Sequence, residues 1–91
     1  MTDDQIANAI TNAINNGHQV VISTFRNAPD LLPHHAYVVT GTDPPQNPDK
    51  FLLYNPHGSK DPIPTGSNAS ILFVRLSVNI ASFQILNNVP E

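Results

Sequence analysis

The chain contains no cysteine. That excludes disulfides, zinc sites built on thiolates and any nucleophilic thiol supplied by these residues themselves. Basic side chains are also scarce. Arg26, Lys50, Lys60 and Arg75 are all the lysines and arginines there are, scattered along a sequence of formal net charge −3. Binding a phosphate backbone needs several cations gathered on one face, so no nucleic acid is expected as a partner. No run approaches the about 18 consecutive apolar residues of a membrane-crossing helix, so no membrane partner is expected either. After Met1 come Thr2, Asp3 and Asp4 instead of a basic patch and an apolar stretch. The expectation is therefore a cytoplasmic protein without a secretory leader.

What is abundant is proline, with 9 in 91 residues, enough to cut the chain into short elements joined by turns. Hydrophobic residues at 40% and charged residues at 12% suit a folded globule, and the length allows one domain, residues 1–91. Thr2-Asp3-Asp4-Gln5 has the form of a capping box opening a helix. Ile6, Ile10 and Ile14, with Ala9 and Ala13, give that helix one apolar stripe, and Asn15-Asn16-Gly17 stops it. Strands are expected at Gln19–Phe25, His35–Thr40 and Phe51–Tyr54, each rich in β-branched or aromatic residues and bounded by turn formers. A loop then holds Ser59 to Ser70, Ile71–Leu76 reads as a strand, and Ser82–Leu86 reads as one more, with Ser77 to Ala81 open to a helical turn. The Asn68-Ala69-Ser70 sequon has no leader to expose it to glycosylation and is read as incidental.

Strands two and three are joined by turn-forming residues 41–49, and the simplest pairing is an antiparallel hairpin. A register that sets His35 opposite Asn55 also sets Tyr37 opposite Leu53 and Val39 opposite Phe51. All six side chains then share one face, because strand side chains alternate with period two. The imidazole and the carboxamide would meet at one end of the sheet. Such a pair has a chemical use: the imidazole moves a proton for a nucleophile, and the amide oxygen orients the ring and fixes its tautomer. Each residue also has an ordinary reading. A strand histidine commonly bonds a backbone group, and Asn-Pro-x-Gly is common turn chemistry.

Here the sequence resembles a family. His35-Ala36-Tyr37-Val38-Val39-Thr40-Gly41 is similar to the His-Ala-Tyr-x-Val-Thr-Gly segment of calpain-type proteases in the papain superfamily, and Asn55-Pro56-His57-Gly58 to their Asn-Pro-Trp-Gly segment. The stretch from Ala13 to Val21 is similar to the helix, glycine and strand that lead into the histidine. The resemblance implies an α+β fold, an antiparallel sheet or partly closed barrel with one N-terminal helix packed on it, as in a papain-like C-terminal lobe. It also implies His35 as the general base and Asn55 as its orienting residue, in a cysteine peptidase acting on a peptide or protein substrate. His57 departs from the family, whose tryptophan there shields the His–Asn bond from water. The family's cysteine and oxyanion-hole glutamine lie on a preceding helical lobe that these residues do not include. A Cys-bearing N-terminal lobe or second protein chain is therefore the implied partner, and the chain alone is not a peptidase.

A rival reading is a non-catalytic protein-binding or regulatory module derived from the same fold; a third is a small β-rich domain in which both motifs are coincidental. Metal chemistry finds no support. Adjacent strand residues such as His34 and His35 point to opposite faces, and His57 with His35 has no further ligand at suitable spacing. No cofactor is expected.

Overall fold

The computed structural model describes residues 1–56 and 67–86. Helix α1 spans Asp3–Asn15, and its capping box forms in full: the Thr2 hydroxyl accepts from the Gln5 amide, and the Gln5 side chain accepts from the Thr2 amide. Gly17 follows at φ 82°, in the left-handed region where glycine carries no Cβ penalty. The helix buries Ile6, Ala7, Ile10 and Ala13, so the stripe runs through Ala7 where Ala9 was expected.

Strands β1 (Gln19–Thr24), β2 (Ala36–Asp43), β3 (Lys50–Asn55), β4 (Ser67–Leu72) and β5 (Ile80–Leu86) form one sheet in the order β4-β3-β2-β1-β5. Every neighbouring pair is antiparallel. Strands β4 and β5 remain as edges, so of the two forms expected, an antiparallel sheet or a partly closed barrel, the open antiparallel sheet is the one present. Its apolar face is covered instead by α1, which packs against β1, a short helix α2 (Leu76–Asn79) and the 3-10 turn Phe73–Arg75 before it. Burying one face in this way satisfies the sheet without closing it. Val20 and Ile22 of β1, Tyr37 and Val39 of β2, Phe51 and Leu53 of β3, Ile71 of β4 and Ile80 of β5 meet the helix stripe in a single core.

Two expectations need correction. The apolar run from Ile71 to Leu76 is not one strand. Strand β4 begins earlier, at Ser67, and ends at Leu72, which faces Lys50 at the start of β3. Past that pair the ladder has one last bond, from the Phe73 amide to the Asp49 carbonyl (2.8 Å), and the chain then turns away. Phe73 then tilts against Phe51 at 4.6 Å between ring centroids, and Leu76 is fully buried.

The β2–β3 register also differs. Val39 faces Leu53, not Phe51, and Val38 faces Tyr54. A bulge lies between Val39 and Gly41, so Gly41 faces Leu52 and Thr42 faces Phe51. The loop fixes this: the Asp49 amide donates to the Asp43 carbonyl (3.1 Å), which sets Asp43 opposite Lys50. From that start, one extra residue in β2 is needed to bring both Val39 and Phe51 onto the covered face.

Candidate functional site

Strand alternation decides which polar groups reach the core. In β3, Phe51, Leu53 and Asn55 alternate onto the covered face, and Asn55 is 2% exposed. In β1, Val20 and Ile22 are followed on the same side by Thr24, also 2% exposed. On β2, Tyr37 and Val39 face inward, and His35 keeps their parity one step before the strand begins.

With Val39 opposite Leu53, continuing two residues along each strand brings Tyr37 level with Asn55. His35 lies one pleat beyond, on the diagonal. The His35 ring bridges that offset, and its Nε2 lies 2.7 Å from Asn55 Oδ1. The pairing expected from the sequence was displaced by two residues, and two residues preserve the face. A displacement of one would have sent the two side chains to opposite sides.

An amide oxygen only accepts, so this contact makes Nε2 the protonated nitrogen. In the neutral ring Nδ1 then carries the lone pair. The ring edge packs on Tyr37 at 5.3 Å between centroids and 70° between planes. An imidazole held this way, with its tautomer set by a buried amide, can take a proton at Nδ1 and return it.

The main chain of His35 is held as firmly as its ring. Its amide donates to the Thr24 hydroxyl (2.8 Å), and its carbonyl accepts from the Thr24 amide (2.9 Å). Before it, His34 is exposed at φ 51°, and its amide donates to the Phe25 carbonyl. The loop leading in is tied to α2. Asn79, fully buried, donates to Asp30 Oδ2 (2.7 Å) and to the Arg75 carbonyl (2.8 Å), and its Oδ1 accepts from the Asp30 amide (3.0 Å). Arg75 Nε adds a 2.8 Å ion pair to the same Asp30 oxygen. These bonds, first from Asn79 and then from Arg75, hold the Asp30 carboxyl below its ordinary pKa. Asp3 is lowered too, chiefly because the Ser77 backbone amide of α2 donates to it.

Thr24, Asp30, Asn79 and Arg75 were not singled out from the sequence. Thr24 could have been: its parity with Val20 and Ile22 places a hydroxyl on the buried face, where it needs a partner. Asn79 has one nearby partner, the Arg75 carbonyl, but the Asp30 groups that it ties down lie 49 residues away. His57 falls outside the described residues. A concavity of about 410 Å³ lies apart from the His–Asn pair, between the start of α1 and β5, lined by residues including Ile6, Phe25, Ile80 and Phe83. Among the described residues, no three His, Cys, Asp or Glu side chains gather to hold a metal ion, and no helix is long and apolar enough to cross a membrane. No protein-family model matches the chain, and no curated protein or solved structure matches it.

Proposed function

We propose that this chain is the His/Asn lobe of a calpain-like cysteine peptidase in the papain superfamily, supplying the general base to a site completed by a Cys-bearing lobe or second chain. The observation that carries this reading is the 2.7 Å contact from His35 Nε2 to Asn55 Oδ1, made by the two residues that match the family's motifs. In the completed site, His35 Nδ1 takes the proton from the partner's thiol. The thiolate adds to the peptide carbonyl, and the imidazolium returns the proton to the leaving amine as the C–N bond breaks. Water, deprotonated by the same nitrogen, then releases the acyl group. Asn55 keeps the ring in the tautomer that leaves Nδ1 basic, and orients it through both charge states.

The test is reconstitution. A papain-type Cys-bearing lobe, fused upstream or added as a second chain, is assayed for hydrolysis of a fluorogenic peptide and for alkylation of its thiol by iodoacetamide. Hydrolysis should appear only with this chain present. His35→Ala should lower it by about 10³-fold or more, since the members of such a unit fail together. Turnover that survives His35→Ala refutes the assignment.

A second reading is favoured by one observation, the absence of any thiol in the chain. On that reading the lobe is a non-catalytic protein-binding or regulatory module. It predicts an association with the Cys-bearing lobe that yields no hydrolysis.

A further inference from the structure

We propose that Thr24 is the positioning residue of the site: its hydroxyl sets the main chain of His35, and through it the ring that bonds Asn55.

The argument starts from the β1–β2 ladder, which runs from Val20 opposite Val39 to Ser23 opposite Ala36. The next pair is Thr24 and His35. In a regular antiparallel ladder these two would exchange both bonds between main chains. One is present, from the Thr24 amide to the His35 carbonyl at 2.9 Å. The return bond is not made to a carbonyl. The His35 amide donates to the Thr24 hydroxyl at 2.8 Å. A side chain closes the ladder here, where β1 also shifts register against β5 between Ser23 and Thr24.

The hydroxyl has one proton to give and gives it to the Leu32 carbonyl at 2.7 Å, the shorter of its two acceptor contacts; the His35 carbonyl is at 3.2 Å. The Leu32 amide in turn donates to the Tyr37 hydroxyl (3.1 Å), and the Tyr37 ring packs on the His35 ring. These contacts form a closed circuit from Thr24 through Leu32 and Tyr37 to His35 and back. It fixes where His35 leaves the strand, and therefore whether its ring can span the diagonal to Asn55. Threonine suits the position because its hydroxyl accepts and donates at once, and its branched Cβ leaves little χ1 freedom to lose.

The catalytic meaning of this circuit rests on the peptidase reading; the circuit itself does not. The test is therefore made on the 91-residue chain alone by NMR, in Thr24→Val, which keeps the shape and removes the hydroxyl, and in Thr24→Ser, which restores it. In Thr24→Val the His35 amide should exchange about three- to tenfold faster, as expected for the loss of one net hydrogen bond. The ¹⁵N signals of the His35 ring should move from the Nε2–H tautomer toward a mixture, and Thr24→Ser should return both. A merely structural threonine would lower the melting temperature without moving the tautomer. If Thr24→Val keeps the tautomer and the amide protection, the proposal is overturned. Should Thr24→Val fail to fold, the unsubstituted chain decides. A slowly exchanging, visible Thr24 hydroxyl proton and a protected His35 amide support the proposal, and their absence overturns it. Failure of reconstitution would count against the peptidase reading and leave these signals unchanged.

Discussion

The two ends of the β2–β3 hairpin each carry a polar pair across the strands, and the pairs are built differently. At the loop end, Lys50 Nζ and Asp43 Oδ2 stand 3.8 Å apart with side chains 33% and 48% exposed. At the open end, His35 and Asn55 meet at 2.7 Å, with Asn55 2% exposed and a circuit of hydrogen bonds behind the histidine. The loop-end pair joins residues already facing one another in the register; the other spans a diagonal. A surface pair costs little to lose because water replaces the partner. The buried Asn55 amide is shielded from water in a way the loop-end pair is not, so its bond to the half-buried imidazole is less readily replaced. The open end thus carries a polar pair tied into the core through Asn55, and the loop end one that faces solvent.

The sharpest test of that contrast is Asn55→Ala. Removing the carboxamide empties the buried Asn55 position and takes the acceptor from the half-buried His35 ring, and urea unfolding at neutral pH should show a loss of about 1–3 kcal/mol. A loss below about 0.5 kcal/mol, the size expected of a surface change, would erase the difference between the two ends. Next comes acid. Asp30, which anchors the loop before His35, has its pKa lowered first by Asn79 and then by Arg75. A carboxyl whose folded pKa lies below its unfolded value contributes stability that is present above the unfolded value and lost as pH falls through the folded one. Melting temperature should therefore fall from about pH 4 downward, and Asp30→Asn should flatten that part of the curve. An unchanged slope in Asp30→Asn would mean that the loop anchor does not hold the native carboxylate. The smallest effect belongs to Lys50→Ala, which should stay within about 0.5 kcal/mol and shrink further in salt. A larger loss would make the loop-end pair a structural equal of the other.

Much of the fold was legible because short-range rules govern it. The capping box at Thr2 and Gln5 and the glycine after α1 are local, and both appear where the sequence placed them. Strands β1 to β3 follow from runs of β-branched and aromatic residues and differ from expectation by about a residue or two at their ends, apart from β2, which continues past Thr40 to Asp43. The run from Ile71 to Leu76 misled because period and propensity do not say where a partner strand ends. Once the β3–β4 ladder ends at Lys50 and Leu72, Phe73 to Arg75 turn; Phe73 packs against the core and Leu76 enters it, while Val74 is left exposed.

The sequence by itself determined the parity of the site: period-two alternation puts His35, Tyr37 and Val39 on one side and Phe51, Leu53 and Asn55 on one side, whatever even register the hairpin adopts. That is why the His35–Asn55 contact survives a pairing displaced by two residues. Only the tertiary structure decided the register itself, because it depends on the bond that closes the Asp43–Asp49 loop and on a bulge near Thr40 that no local pattern announces. It also decided what holds the histidine. Thr24 lies 11 residues from His35 and Asn79 lies 49 from Asp30, and hydrogen bonds between such distant positions exist only once the strands and α2 have been brought together.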